Sequence, residues 1–169
     1  MVEACLKLLE LGYYEMKFAF EGLADENVWK RPAEGILSVG ELAGHTAFWE
    51  ALRWAGDNFS FEAGPDDCPV KSPLIDSRFR YHPNTIAQPP SPEHLAMTAA
   101  QVWAELQRVH KESVALLRAR NVDLDAVPPG SPHPGTYRDY LKYQAFHIAY
   151  HVGQMYTVRH LLDETPPDN

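Results

Sequence analysis

Two histidines, His147 and His151, stand four residues apart in the segment Phe146-His147-Ile148-Ala149-Tyr150-His151-Val152-Gly153-Gln154. On a helix that spacing puts both imidazoles on one face about a turn apart, so each can aim a ring nitrogen at a common point. A third imidazole, His45, falls in the stripe Leu42, His45, Trp49, Leu52 and Gly56, at a position that the helical period reserves for an apolar residue. Three neutral nitrogen donors from two helices make a facial set for a divalent metal ion. Such a set leaves the ion its full charge and an open position, which is the catalytic rather than the structural pattern. A water or thiol reaching that position would have its pKa lowered. The competing reading is three ordinary interior histidines, each hydrogen-bonded to a neighbour. That suits a lone histidine, but three at stripe centres, two of them at ligand spacing, call for a shared explanation, because a buried imidazole without a partner costs stability.

Around this constellation, Gln154 lies about a turn after His151 on the same face. It has two readings, a catalytic amide that orients a bound nucleophile or an amide that fixes an imidazole tautomer. Tyr13, Tyr140 and Tyr143 offer hydroxyls, although core filling explains each. Glu50 points away from the His45 line and is expected in solvent or at an interface. His160 is expected to be solvated and His110 to sit at a boundary; His82, His94 and His133 fall in loops or at a helix start, with His82 the one that could line the site. No general base stands out. Other metal patterns do not fit: Ile148, not glutamate, follows His147, as a zincin would not allow, and no histidine has a glutamate three positions before it, as di-iron bundles require. Cys5 lies on an apolar helix face, and Cys68 lies in a loop where a reactive thiol is conceivable; neither has C-x-x-C spacing.

Four helices must position these groups. Val2, Leu6, Leu9, Tyr13, Met16, Phe20 and Leu23 alternate by four and three, predicting an amphipathic helix over about 2–23. Ser38-Val39-Gly40-Glu41 reads as a capping box that starts the second helix. A third is expected from Ser91-Pro92-Glu93, with a stripe of Leu95, Val102, Leu106, Val109 and Leu116. Thr136-Tyr137-Arg138-Asp139 opens the fourth, whose inward face carries Tyr140, Gln144, His147, His151, Gln154, Met155, Val158 and Leu162. Between the second and third, residues 57–90 are proline-rich and loop-like, with Leu74, Ile75, Phe79 and Tyr81 as apolar anchors. A connection this long is expected where two neighbouring helices run parallel and the chain must return to its starting end. The expectation is an all-α four-helix bundle with a long crossover, a single domain over residues 1–169.

Composition narrows the partners. The chain has 169 residues, 45% hydrophobic and 22% charged, which suits an ordinary globular domain with a substantial core. A net charge of −8 without any cluster of Lys and Arg argues against nucleic acid. No long uncharged run suggests a membrane span, and charges occupy the N-terminus where a signal peptide needs its apolar core, so a cytoplasmic location is expected.

The stretch from Ser38 to Trp49 (Ser-Val-Gly-Glu-Leu-Ala-Gly-His-Thr-Ala-Phe-Trp), followed by His147-x-x-x-His151-Val152-Gly153-Gln154, resembles the DinB-like (YfiT-like) superfamily of four-helix-bundle metalloenzymes over essentially the whole chain. The resemblance implies His45, His147 and His151 as metal ligands, zinc or nickel as the ion, and a crossover between the second and third helices. It implies a thiol-dependent S-transferase type of activity with a low-molecular-weight thiol as cosubstrate, and a homodimer, for which Trp54 and Trp103 are candidate interface aromatics. A metal-dependent hydrolase and a non-catalytic metal- or ligand-binding stress protein stay open beside it.

Overall fold

The computed structural model describes residues 2–81 and 88–167. Among them there is no strand; six α-helices run in the order α1 (Val2–Phe20), α2 (Asp25–Val28), α3 (Val39–Glu50), α4 (Pro92–Leu95), α5 (Ala99–Arg120) and α6 (Tyr137–Leu161). The four long ones form the bundle. A π-helical turn, Ala51–Ala55, continues α3. No helix in the described residues is long and apolar enough to cross a membrane.

The helix starts follow side-chain chemistry. At α3, the Glu41 backbone N–H donates to Ser38 Oγ while the Ser38 N–H donates to Glu41 Oε2, so each satisfies an orphan donor of the other. Thr136 and Asp139 do the same at α6. The expected third helix is two elements. Ser91 caps only the single turn of α4, and Thr98 with Gln101 caps α5 afresh. Leu95, assigned above to the inward stripe, is consequently exposed, whereas Val102, Leu106 and Val109 are fully buried. The Thr-x-x-Gln signal three residues past Leu95 carries the distinction.

Three arginines reveal the helix directions. Arg159, near the end of α6, is 2% exposed and donates from Nη1 to the carbonyls of Ala19 and Glu21 at the end of α1, so α1 and α6 run parallel. A cation on free carbonyls is also the favourable end of the helix dipole. Arg118, near the end of α5, pairs with Glu3 at the start of α1, so these two are antiparallel. Arg120 donates to the carbonyls of Trp54 and Ala55 just beyond α3, so α3 and α5 are parallel neighbours. The long crossover is what that parallel pair requires. It packs on the bundle, with Leu74 and Phe79 fully buried and Ile75 nearly so.

Several surface expectations fail because the crossover and α5 cover more of α3 than a simple bundle would. Trp54 is completely buried and cannot serve an interface, while Trp103 is half-buried. Glu50 is fully buried, accepting from Tyr13 Oη at 2.8 Å and pairing with His110 Nδ1 at 2.5 Å. His94 is buried too: its Nδ1 accepts from the Ser91 N–H and its Nε2 donates to the Pro73 carbonyl, tying the crossover to α4. Cys68 is 2% exposed, its thiol facing the Ala51 carbonyl, and burial pushes its pKa up, so it is no reactive thiol. His82 lies outside the described residues.

Candidate metal centre and its cavity

α3 and α6 bring the three histidines together. The Nε2 atoms of His45 and His147 are 3.1 Å apart, and those of His147 and His151 are 3.0 Å apart. One nitrogen from each lies within 4.8 Å of the others. His147 and His151 are each 7% exposed and His45 is half-buried.

The hydrogen bonds around the rings decide what the cluster can do. His45 Nδ1 is 2.8 Å from the Phe79 carbonyl, which can only accept, so the proton sits on Nδ1 and the Nε2 lone pair is free. His151 Nδ1 is 2.6 Å from Gln154 Oε1, which makes the same choice for that ring. Two bare lone pairs therefore face the Nε2 of His147, and a single proton there could satisfy only one. His147 Nδ1 is buried with no partner among the described residues, so holding the proton on that side brings a third lone pair to the cluster. Nitrogens bound to one ion at about 2.0–2.1 Å stand roughly 3 Å apart, which is the spacing His147 makes with each of its two neighbours. The donor set fits a divalent cation.

Electrostatics keep the donors neutral. Burial lowers the pKa of His45 to about 3, reinforced by the nearby His151; burial lowers that of His147 to about 2, with His151 and His45 adding to it. Burial also lowers His151, opposed by its bond to Gln154. Imidazoles that resist protonation are available as ligands at neutral pH.

The centre opens into a cavity of about 450 Å³ lined by His45 and His147. Trp49, Phe59, Phe61 and Tyr140 supply apolar wall, and Tyr143 stacks over His147 at 5.8 Å between centroids. Gln154 does not line it. It sits behind His151, with its Nε2 donating to Tyr150 Oη at 3.2 Å, the position of a tautomer-fixing amide. Tyr140 reaches the cavity while its hydroxyl bonds Ser131, and Tyr13 serves Glu50 instead.

Sequence reasoning passed over three contributors. Arg53 lines the cavity one turn beyond Trp49, within the π-helical turn Ala51–Ala55, where the Gly56 N–H bonds back five residues to the Ala51 carbonyl at 2.9 Å. The spacing His45-x-x-x-Trp49-x-x-x-Arg53 was the available signal. The Phe79 carbonyl that orients His45 is a backbone group without any side-chain signature. Tyr81, a cavity wall tilted against His45 at 5.6 Å, has a φ of 44°, a left-handed conformation rare for a bulky residue.

No curated protein and no solved structure matched the chain. A family model described as the DinB superfamily matches residues 8–155, a span that takes in α3, the crossover, α5 and the cluster His45, His147 and His151. The chain belongs to the DinB superfamily.

Proposed function

We propose that this chain is a divalent-metal enzyme of the thiol-dependent S-transferase type, with His45, His147 and His151 holding zinc or nickel and a low-molecular-weight thiol as cosubstrate. One observation carries the reading: three Nε2 atoms converge at the wall of a cavity, two of them with lone pairs bared by bonds to the Phe79 carbonyl and Gln154. An ion held there would lower the pKa of a thiol or a water that reached it. The chain's own residues do the rest. Gln154 and the Phe79 carbonyl keep the protons on the outer ring nitrogens. Trp49, Phe59 and Phe61 exclude water and strengthen charge interactions inside the cavity. Tyr143 covers the outer face of His147.

Thiol chemistry is preferred to hydrolysis because the cavity carboxylate is already spent. Asp139 lines the cavity, but it caps α6, accepting from the Thr136 backbone and hydroxyl. Those hydrogen bonds lower its pKa and make it a poor base. The hydrolase reading draws on His133, which also lines the cavity and stands against Phe61 at 5.8 Å between centroids.

The test uses untagged protein, measured for bound metal and then screened with electrophiles in the presence and absence of a low-molecular-weight thiol. Near-stoichiometric divalent metal, lost in His147→Ala, with turnover only when thiol is added, is the expected result. Ester or amide turnover without thiol, abolished by His133→Ala, would select the hydrolase. A loaded protein that binds thiols and never accelerates their transfer would be a binding protein. Protein that takes up neither zinc nor nickel sinks the metal centre itself.

A further inference from the structure

Arg53 is the part of the cavity for which the metal centre has no use. It is 6% exposed, and a buried guanidinium is costly to desolvate unless it is paired. Among the described residues no carboxylate reaches it, and its Nε and Nη1 have no hydrogen-bond partner. Other arginines of the molecule are provided for: Arg31 pairs with Glu41, Arg159 with Glu164 and Arg120 with the end of the π-helical turn. Around Arg53 stand instead the faces of Trp49, Tyr140 and Tyr143, with the guanidinium carbon 5.0, 5.7 and 5.8 Å from the ring centroids. Ring faces hold a cation from above and below, but they accept none of the in-plane N–H bonds. The third nitrogen, Nη2, is not shut off as the other two are.

We propose that Arg53 and its aromatic walls form a subsite for the carboxylate of a flat, unsaturated organic anion seated beside the three-histidine centre. The planar fork of a guanidinium matches a carboxylate better than any other common anion of single charge. Among the described residues no lysine or second arginine lines the cavity, and Asp139 stands in its wall, so a phosphate dianion would find one cation and one repelling charge. The walls are mainly aromatic, which selects a flat body, and 450 Å³ suits a small molecule. This assignment rests on reading the cavity as the substrate pocket. It names the class of electrophile that the thiol would meet there.

Binding of benzoate, benzamide and 3-mercaptopropionate to the full chain, measured by calorimetry on metal-stripped and on zinc-loaded protein, tests it. Benzoate should bind metal-stripped wild type about tenfold more tightly than benzamide, its neutral counterpart. It should also outbind 3-mercaptopropionate, which has the carboxylate and a thiol but no flat body. Arg53→Met should erase the preference for benzoate over benzamide, and Arg53→Lys, which keeps the charge and loses the fork, should retain part of it. Since metal-stripped protein carries the comparison, failure of the metal centre leaves these results intact. The wild-type comparison likewise needs no variant to fold. Equal binding of benzoate and benzamide, or no benzoate binding, overturns the subsite. So does benzoate binding that needs zinc and ignores Arg53→Met, since the anion then sits on the metal. Tighter binding of 3-mercaptopropionate to metal-stripped protein overturns the flat body and assigns the carboxylate to the thiol.

Discussion

At the scale of single residues, the candidate centre depends on where three protons are kept. An imidazole offers a metal one lone pair, and the hydrogen bond on its other nitrogen decides which. His45 has a backbone carbonyl for this and His151 has Gln154, whereas His147 has neither. Gln154 therefore matters without touching the cavity. Gln154→Ala should weaken zinc binding by about tenfold to a hundredfold, measured by competition with a chromogenic chelator, and leave the helical content unchanged. Gln154→Glu, which still accepts from Nδ1, should restore most of the affinity. Unaltered affinity in the alanine variant would show that the tautomer of His151 is held by something else.

At the scale of elements, the crossover is as much part of the centre as the helices are. It supplies the Phe79 carbonyl to His45, and the Arg80 carbonyl accepts from the Trp49 indole at 3.0 Å. Phe79 can lie so close to α3 because residue 44 has no side chain: a Cβ there would come within 2.5 Å of the Phe79 ring. The ring is fully buried and has no free direction to retreat. Gly44→Ala should cost about 1–3 kcal/mol of stability from overpacking. It should also weaken metal binding, because the displaced loop carries the His45 acceptor away with it. Thermal melts and metal titrations of this variant beside Gly64→Ala, where a Cβ meets nothing within 4 Å, separate the local clash from a general effect. Lost stability with metal affinity intact would mean that the Phe79 carbonyl does not govern His45.

For the whole molecule, the three depressed imidazole pKa values make folding depend on pH in a definite direction. Unfolded histidines take up protons near pH 6.5, whereas folded His45 and His147 hold out to about 3 and 2. The unfolded state thus binds more protons throughout that interval, and stability falls as pH falls. The contribution is complete above pH 6.5 and drains away below it, by about 1.4 kcal/mol per pH unit for each histidine at most. His110 acts in the opposite sense. Its burial would lower its pKa, but the Glu50 carboxylate prevails and raises it, so its contribution is present below pH 6.5 and lost as pH rises through the raised value. Metal-stripped protein should therefore melt at a lower temperature at pH 5 than at pH 7. The His45→Ala, His147→Ala double variant should show a visibly shallower fall, by calorimetry or circular dichroism. Equal slopes would mean that the cluster is not the source of the dependence.

The local chemistry was legible in the chain itself. Caps at Ser38 and Thr136 announce α3 and α6, because a side chain that satisfies an orphan N–H needs only neighbours within three residues. The spacing of His147 and His151, and the intrusion of His45 into an apolar stripe, follow from the helical period alone. So did the crossover, whose length implied the parallel pair α3 and α5. What needed the tertiary structure was everything decided between elements distant in sequence. Glu50 reads as a surface acid until α1 and α5 bring Tyr13 and His110 to it, 37 and 60 residues away. Trp54 looks available for an interface until the chain folds back over it. Arg53 continues the four-residue spacing of His45 and Trp49, but only the packing shows it walled by aromatic rings, with no hydrogen-bond partner for its Nε and Nη1 among the described residues. Periodicity reports which face a residue takes on its own helix; only the packed fold decides what that face meets, and thus whether a charge finds a partner or is left to wait for a ligand.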